Sequence, residues 1–252
     1  MKRNSTLLIL AIGAGALLSG CQNMSTDGLV QSGLMMAKAA TLSDAELKQV
    51  ADESCAQADA QSSIAPASSP YTKRLNKIAG ALGNQIDGMP VNYKVYLTKD
   101  VNAWAMANGC VRVYSGLMDM MNDNEVEGVL GHEMGHVALG HIKKATQTAY
   151  ATAAARTAAA SSSNGAVAAL SQSQLGDIGQ ALINAQFSQS QESDADDFSF
   201  DLLKKRGIKT DGLATAFDKL AKLDGGGSSM FSDHPGSKER ADHIRQRIAN
   251  SK

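Results

Sequence analysis

Two histidines separated by three residues most constrain how this chain can fold. They occur in the stretch His132-Glu133-Met134-Gly135-His136. Residues four apart share one face of an α-helix, so a helix here turns both imidazoles in one direction. Two neutral imidazoles can bind one Zn²⁺, and a carboxylate after the first histidine lies at the edge of the same face. The stretch therefore predicts a helix with two metal ligands and the general base of a zinc hydrolase.

Glycines make this helix unusual. Gly128, Gly131, Gly135 and Gly140 all fall within its predicted length, and each costs about 1 kcal/mol relative to alanine in a helix interior. A helix with that cost usually lets another backbone come close. The alternative is an amphipathic helix whose surface histidines share this spacing by coincidence, and the glycines favour the metal site over it.

The N-terminus has the layout of a secretory signal. Lys2 and Arg3 precede an apolar run from Leu7 to Leu18, which is too short to span a bilayer. The sequence Leu18-Ser19-Gly20-Cys21 then resembles the bacterial lipobox, in which the cysteine becomes the lipidated first residue of the mature protein. We expect residues 1–20 to be a cleaved signal peptide and Cys21 to be lipidated; the alternative is a free or disulfide-bonded Cys21.

The residue after Cys21 bears on location. It is Gln22 and not Asp, which by resemblance to other bacterial lipoproteins implies the outer membrane. We expect the protein to face the periplasm, although the residue after the cysteine does not distinguish the two faces of that membrane. Several acyl chains on one residue would anchor stably, whereas a single chain binds only marginally. Residues 21–41 are small and polar without firm periodicity, and we expect them to form a tether between the lipid and the domain.

Charge and composition exclude some classes of protein. The chain has 24 Lys and Arg against 25 Asp and Glu, and losing residues 1–20 removes two positive charges, so 22 minus 25 leaves −3. This balance does not suggest a nucleic-acid partner. With 43% hydrophobic residues, residues 42–252 can form one domain around one core.

Two cysteines remain in the mature chain, Cys55 and Cys110. The compartment permits disulfides, so the two can pair. The alternative is two unrelated buried thiols.

Local patterns predict an α+β fold, mostly helical, with a small antiparallel sheet packed on the motif helix. Ser43 and Glu46 form a capping box, and Pro70 suits the first position of a helix that Gly83 ends. The motif helix is predicted to start near Asn122 and to run to about Lys144. The predicted strands are Val91–Leu97, Asn102–Met106 and Val111–Tyr114, the last two joined by a turn at Asn108-Gly109.

The C-terminal half is predicted to be helical. Residues 145–173 are rich in Ala, Ser and Thr, which favours a poorly packed surface helix or a mobile loop; a lid over the cleft is the functional alternative. The remaining predicted helices are Leu175–Arg206, Asp211–Leu223 and Ser237–Ala249, with a hinge-like loop at Gly225-Gly226-Gly227.

A catalytic zinc needs a third protein ligand. His141 follows His136 by five residues, about 140° around a continuous helix, so we expect it to face away as a structural or solvent-facing residue. Glu192 and Asp196 are better placed. They lie four apart, where two carboxylates repel unless a cation lies beside them. If Glu192 bound the zinc and Asp196 bound a ligand imidazole, both carboxylates would have a favourable partner. The alternative is a solvated acidic face.

The order of these motifs resembles the HtpX-like and Oma-like gluzincin metallopeptidases, which pair HExxH with a later ExxxD helix. The resemblance covers nearly the whole chain. It rests on the following features: the lipobox, Asn102-Ala103-Trp104-Ala105, Ser115-Gly116-Leu117, HEMGH, ESDAD, and Asp233-His234-Pro235 with Arg240. The turn Asn108-Gly109-Cys110 departs from the Gly-Gly of many relatives, and it suits a disulfide at Cys110.

The resemblance implies a zincin-like single domain that holds one Zn²⁺ per chain. It implies His132, His136 and Glu192 as ligands and Glu133 as the general base, roles that these residue types also support. Asp196 then orients a ligand histidine, or in some descriptions donates a proton. We favour orientation, because an acid behind a ligand imidazole cannot reach the substrate.

Two further expectations concern substrate and regulation. An extended peptide would lie along the strand Asn102–Met106, whose edge offers backbone groups; Trp104 in it is either part of this site or simple core packing. His234 can approach the zinc as a fourth ligand and plug the site, stabilise the oxyanion, or merely cap a helix. The resemblance suggests a self-inhibiting switch.

These observations predict a zinc endopeptidase, anchored at the outer membrane, that cleaves misfolded or stalled envelope proteins. Its partners would be such substrates and other envelope proteases or assembly machinery. One alternative is a chaperone or assembly factor for outer-membrane proteins with quiescent protease activity. A weaker one is a zinc hydrolase that acts on cell-wall amides.

Overall fold

A computed structural model describes residues 26–161, 172–223, 230 and 233–251. Its helices are α1 Thr26–Thr41, α2 Asp44–Gln61, α3 Pro70–Leu82, α4 Ser115–Met120, α5 Asp123–Ala138, α6 His141–Ser161, α7 Gln172–Ile183, α8 Gln189–Lys205, α9 Gly212–Ala221 and α10 Ser237–Asn250. Its strands are β1 Gln85–Ile86, β2 Met89–Pro90, β3 Asn92–Tyr96, β4 Ala103–Ala105 and β5 Cys110–Tyr114. The predicted mostly helical α+β architecture is confirmed. Cys21 and the loop at residues 225–227 lie outside the described residues.

The chain divides into two compact units. The smaller contains α1 and the part of α6 from Gln147 onward. Within it, Met35 of α1 is buried and its sulfur accepts a hydrogen bond from the Thr157 hydroxyl at 3.8 Å. The Lys38 ammonium lies 5.7 Å from the centre of the Tyr150 ring. Residues 26–41, expected to be an irregular spacer, are therefore helical, because one face of the segment is buried on a neighbouring helix.

The larger unit comprises residues 43–146 and 172–252, and it contains a three-stranded sheet in the order β3-β5-β4. The predicted hairpin is present, with β4 antiparallel to β5 and Gly109 in the turn at φ 80°. The expectation of an all-antiparallel sheet was wrong, since β3 pairs with β5 in parallel. In the hairpin only one edge of β5 pairs with β4. The other edge of β5 pairs with β3, which runs in the same direction as β5. A separate ribbon of β1 and β2 was not predicted.

Local capping chemistry starts the helices at the predicted positions. Ser43 and Glu46 form a capping box at α2, and Asn122 and Glu125 form another at α5. Each box satisfies two backbone N–H groups that the first turn leaves unpaired. The start of the motif helix is thus fixed by four consecutive residues.

The motif helix is shorter than predicted. It ends at Ala138, and a new helix begins at His141 after Gly140, whose φ of 72° lies in the left-handed region. Glycine adopts this conformation without steric cost, so the chain turns there. The predicted continuation of the helix to Lys144 was wrong. The predicted angle between His136 and His141 assumed one continuous helix, so that prediction fails as well.

The predicted helix Leu175–Arg206 is two helices, α7 and α8, separated by residues 184–188. Ser188 and Gln191 form a capping box at the start of α8. The prediction of one long helix from apolar periodicity overlooked this local signal. The break leaves Phe187 outside either helix, where it meets the functional site described below.

Three glycines let α5 pack closely, as predicted. A Cβ on Gly128 would lie 2.6 Å from the Leu213 nitrogen, and one on Gly131 would lie 2.6 Å from the Ser199 hydroxyl. A Cβ on Gly135 would lie 3.0 Å from the Ala195 carbonyl oxygen. The glycines therefore bring α5 against α8 and the start of α9, which sets the distance between the HEMGH motif and the ESDAD motif.

A disulfide joins Cys55 of α2 to Cys110 of β5, across a sequence separation of 55 residues. Tyr96 and Trp104 pack beside it as buried side chains, with ring centres 5.9 Å apart. Trp104 is therefore a core residue. Among the described residues, no helix has both the length and the apolar character needed to cross a membrane.

Candidate metal centre

Four buried side chains from three parts of the larger unit converge at one point. His132 and His136 come from α5, Glu192 from the first turn of α8, and His234 from the segment before α10. Each offers one ligand atom, and these atoms lie within 4.8 Å of one another. The HEMGH motif and the ESDAD motif, about sixty residues apart in sequence, thus meet as predicted.

The two motif histidines turn their Nε2 atoms toward each other at 3.0 Å. Glu192 Oε2 lies 3.5 Å from His132 Nε2, and Glu192 Oε1 lies 3.6 Å from His136 Nε2. Burial, followed by the charge of Arg240, lowers the pKa of His132 to about 4. Burial and the neighbouring His132 also lower the pKa of His136 well below its usual value. Both imidazoles are neutral at neutral pH, as metal ligation requires.

Asp196 holds one of these rings. Its Oδ1 lies 2.8 Å from His132 Nδ1, and an ionised carboxylate can only accept, so Nδ1 carries the hydrogen. The lone pair of His132 is therefore on Nε2, which faces the cluster. This is the geometry that the orientation hypothesis for Asp196 requires.

Arg240 lies between the two carboxylates of α8. Its Nη1 is 2.5 Å from Glu192 Oε2, and its Nη2 is 2.6 Å from Asp196 Oδ1. Burial alone would raise the pKa of both acids, but Arg240 and the neighbouring histidines lower both below their usual values. The repulsion between these acids is thus relieved in part by the guanidinium of Arg240 on α10. No role for this residue was predicted from the sequence.

Glu133 is buried beside the cluster without a full set of partners. Its Oε1 has no hydrogen-bond partner among the described residues, and it lies 3.6 Å from His234 Nε2. Burial raises the pKa of Glu133 to about 7. A carboxylate with this pKa and a free oxygen can take up and release a proton near neutral pH.

Two residues contact the His136 ring on the side away from the cluster. Neither contact was predicted from the sequence. His141 Nδ1 lies 3.0 Å from His136 Nδ1, and the Phe187 ring stacks on the His136 ring with centres 3.9 Å apart. His141 is not one of the four residues of this cluster. It is nevertheless buried and touches a ligand, so the expectation that it faces away from His136 was wrong.

His234 completes the cluster from the opposite side. Its Nδ1 lies 3.0 Å from Glu192 Oε1 and 3.2 Å from His132 Nε2. Burial would lower the pKa of His234, but Glu133 and Glu192 raise it above its usual value. The structure thus brings His234 to the position of a fourth ligand.

The strand β4 lies at the edge of the sheet, as the substrate hypothesis needs. It is shorter than the predicted Asn102–Met106, and its three residues are buried. The backbone N–H of Met230 also donates to the Val101 carbonyl at 3.3 Å. Met230, four residues before His234, is thus bonded to the chain two residues before β4.

The residues present fit a divalent metal. The lone pair of His132 Nε2 faces Glu192 Oε2 at 3.5 Å, with His136 Nε2 3.0 Å from His132 Nε2 and 3.6 Å from Glu192 Oε1, and acceptors at such distances repel unless hydrogens or a cation lie between them. Two imidazoles and a carboxylate are the ligands of many catalytic zinc sites. No local spacing in the sequence signals the contact of Arg240 with the two acids, since Arg240 follows Asp196 by 44 residues.

The comparisons with known proteins agree with this geometry. Residues 71–248 match the profile of peptidase family M48. The chain is 61% identical to metalloprotease LoiP of Escherichia coli strain K12, over 96% of each chain. It is 60% identical to metalloprotease YcaL of the same strain, over 99% of this chain and 100% of YcaL. A shorter match to protease HtpX of Nitrosococcus oceani is 47% identical over 57 residues, 21% of this chain and 19% of HtpX.

The family match spans α3 to α10 and includes every residue of the buried cluster, and two relatives that are similar over nearly their whole length are metalloproteases. This chain belongs to peptidase family M48 and is a metalloprotease.

Proposed function

We propose that this metalloprotease is a zinc endopeptidase that cleaves misfolded or stalled envelope proteins, is lipid-anchored to the outer membrane through Cys21, and is held back by His234. The observation that carries the proposal is the convergence of four buried ligand atoms within 4.8 Å, with Glu133 beside them. In this proposal His132, His136 and Glu192 hold one Zn²⁺ per chain, and Asp196 positions His132.

Zinc in this site would polarise the scissile carbonyl and make a bound water more acidic. Glu133 then takes the proton of the attacking water and later returns it to the leaving amine. Burial raises the pKa of Glu133, and a carboxylate that is less acidic than usual is a better acceptor for the proton of water. Burial of the site keeps bulk water from competing for these protons.

The position of His234 supports a plug over an oxyanion stabiliser. A stabiliser needs to face the substrate carbonyl, whereas His234 Nδ1 lies among the ligand atoms, 3.0 Å from Glu192 Oε1. Its ring also stacks against Phe187, with centres 5.8 Å apart. His234→Ala should therefore raise proteolysis, and a fall in cleavage would favour the stabiliser.

The substrate would add to the sheet at β4. An edge strand offers backbone N–H and C=O groups, so an extended peptide can bind with little demand on its sequence. The Met230 to Val101 hydrogen bond lies just before this strand. Met230 and His234 thus place a bond next to the strand and a histidine at the metal centre, and in this proposal their withdrawal opens the site to substrate.

Location and substrate class are supported by the sequence and the disulfide. The signal-like N-terminus with Cys21 in a lipobox directs the protein to the envelope, and a disulfide such as Cys55 to Cys110 persists in oxidising compartments. Recognition of an extended backbone selects unfolded chains over folded ones. Misfolded or stalled envelope proteins combine that location with that state.

A second candidate is a chaperone or assembly factor for outer-membrane proteins whose protease activity is quiescent. The contact of His234 with Glu192 favours it, because the imidazole occupies the position of a metal ligand. It differs from the first in whether cleavage is needed in the cell.

Glu133→Gln tests the proposal against this alternative. The variant should keep one zinc per chain and lose cleavage of an unfolded outer-membrane protein by about 10²-fold or more. Glu127→Gln is the matched control, since Glu127 lies on the same helix and accepts a bond from Asn124 at 3.2 Å that glutamine can also accept. Loss of the cellular role in Glu133→Gln would support proteolysis, and retention would support the chaperone.

Metal and lipid are tested separately. Elemental analysis of the purified protein should give one zinc per chain, lost in His132→Ala, and a chain with full activity after exhaustive chelation would exclude the metal. Mass spectrometry of the mature N-terminus should show acyl chains on Cys21. An unmodified Cys21 would exclude the anchor while leaving the protease assignment intact.

A further inference from the structure

We infer that α1 rests on the lipid surface beside the anchor and docks the smaller unit there through an apolar face. The inference rests on the lipid attachment proposed for Cys21. It concerns residues that take no part in the metal centre, and nothing in the peptidase chemistry requires it.

The apolar side chains that remain exposed are concentrated on α1. Seven large hydrophobic residues of the described chain are exposed to at least 36%, and four of them fall within eight residues of this helix. Leu34 is 66% exposed and Val30 is 62% exposed. Single exposed leucines are ordinary, but a contiguous exposed patch indicates an interaction surface. The four residues are Leu29, Val30, Leu34 and Met36.

These four residues lie on one side of the helix. With 3.6 residues per turn they cover about half of its circumference. The buried residues of α1, Gly28, Met35 and Ala39, lie on the opposite side. Met35 faces Thr157 in the same unit. The helix thus has one face packed on its own unit and a second apolar face that the described residues leave exposed.

The chain length between the anchor and this face identifies the occupant. Leu29 follows Cys21 by eight positions, a stretch that spans at most about 29 Å when fully extended. A lipid on Cys21 therefore keeps the apolar face within reach of the bilayer at all times. Because the tether makes docking effectively intramolecular, a modest apolar surface is enough to hold it there.

The dimensions and charge of α1 fit a helix that lies on the membrane. Its 16 residues rise about 24 Å, less than the roughly 30 Å hydrocarbon core that a spanning helix crosses. Its charged residues are Asp27 and Lys38, so it carries no net charge. We therefore expect apolar insertion at the headgroup boundary, with equal docking on anionic and neutral lipids.

A fluorescent probe on the apolar face tests this inference. The mature lipoprotein with Leu34→Cys, labelled with an environment-sensitive dye, is placed in vesicles of phosphatidylethanolamine and phosphatidylglycerol. Labelling is selective because Cys55 and Cys110 are joined to each other. Leu139→Cys is the matched control, since Leu139 is a leucine with 45% exposure that lies outside α1. The Leu34 probe should shift to shorter wavelength and be quenched by brominated acyl chains, and the Leu139 probe should do neither.

Two results would overturn the inference. One is a Leu34 probe that stays as water-exposed on vesicles as the Leu139 probe. The other is a probe that becomes buried in solution as protein concentration rises, which would assign the face to a second copy of the chain. As a further check, Leu29→Ser with Val30→Ser and Leu34→Ser should abolish the shift of a probe at Met36→Cys, and a shift that persists counts against docking.

A second tether distinguishes a missing lipid on Cys21 from a missing membrane-binding surface on α1. The same probes are placed on a non-lipidated mature chain with an N-terminal histidine tag and Cys21→Ser, which keeps the labelling selective, bound to vesicles that contain a nickel-chelating lipid. Docking in this system with an unmodified Cys21 in cells would support the surface and exclude the anchor. A water-exposed Leu34 probe in both systems would exclude the surface.

Discussion

His141 Nδ1 lies 3.0 Å from His136 Nδ1, and both side chains are buried. A metal bound to His136 Nε2 requires its lone pair there, so the hydrogen of the ring is on Nδ1. That hydrogen then points at His141, which accepts it. Ligand histidines usually donate their second ring N–H to such a partner, which fixes the tautomer and the orientation of the ring.

We expect His141→Ala to weaken zinc binding by about 10- to 100-fold, the usual effect of losing a partner of a ligand histidine. Chelator competition measures this affinity. Activity at saturating zinc should fall less than affinity, because the residue touches neither substrate nor metal. His141→Asn, whose side-chain oxygen can accept the same hydrogen, should recover part of the affinity.

His243→Ala is the control for this substitution. His243 pairs with Asp197 at 2.6 Å and is part-exposed, away from the ligand atoms. The zinc affinity of the His243→Ala variant should equal that of the unsubstituted protein. Equal affinities in His141→Ala and His243→Ala would contradict a positioning role.

Arg240→Ala should lower the free energy of unfolding by about 3 to 5 kcal/mol, because it leaves Glu192 and Asp196 buried without their cation. Urea unfolding in the presence of a chelator measures the loss without a contribution from bound metal. Arg240 also lies 4.1 Å from the centre of the Phe217 ring, so part of the loss will be packing.

Arg245→Ala is the corresponding control on α10. Arg245 pairs with Asp218 and Asp242, and all three side chains are largely exposed. Surface pairs of this kind contribute at most about 1 kcal/mol. If both arginine variants unfold at the same urea concentration, the guanidinium does not compensate the two acids.

Asp59 makes stability depend on pH at a place remote from the metal centre. It accepts bonds from Arg112 at 2.8 Å and from Lys94 at 2.6 Å. Burial would raise the pKa of Asp59, but these cations lower it to about 2 from 3.8. The folded state thus holds its proton more weakly than the unfolded state. The resulting stability is complete above pH 3.8 and is lost as the pH falls toward 2.

Asp59→Asn should accordingly be less stable than the unsubstituted protein at pH 6, and this difference should shrink as the pH falls from about 4 to 2. Urea midpoints of the two proteins across this range measure the difference. A gap that stays constant down to pH 2 would show that Asp59 contributes through packing alone.

The local parts of the fold and the site could be predicted from the sequence. Capping boxes at Ser43 and Asn122 depend on residues three apart. The pairing of His132 with His136, and of Glu192 with Asp196, depends on helical periodicity. These features involve short separations, where one backbone conformation fixes which side chains share a face.

The rest depends on where the chain turns and on what then packs together. The helix break at Gly140 turned His141 onto His136, and the break before Ser188 left Phe187 over the same ring. Arg240 meets its acids only because α10 packs near α8. Periodicity within a helix cannot show such contacts, since each depends on where a helix ends or on an element distant in sequence.

Gly128 offers a test of the close packing that assembles the site. A Cβ at this position would lie 2.6 Å from the Leu213 nitrogen and 2.8 Å from its Cα, and backbone atoms of α9 cannot move aside as a flexible side chain can. Gly128→Ala should therefore lower the free energy of unfolding by about 1 to 3 kcal/mol, the usual cost of overpacking. Gly80→Ala on α3 has nothing within 4 Å of the added carbon, and it should raise stability by about 0.4 to 1 kcal/mol because alanine favours the helix. Urea unfolding of both variants measures the two opposite signs. If Gly128→Ala were also stabilising, the glycines of α5 would not be what allows its approach to the neighbouring helices.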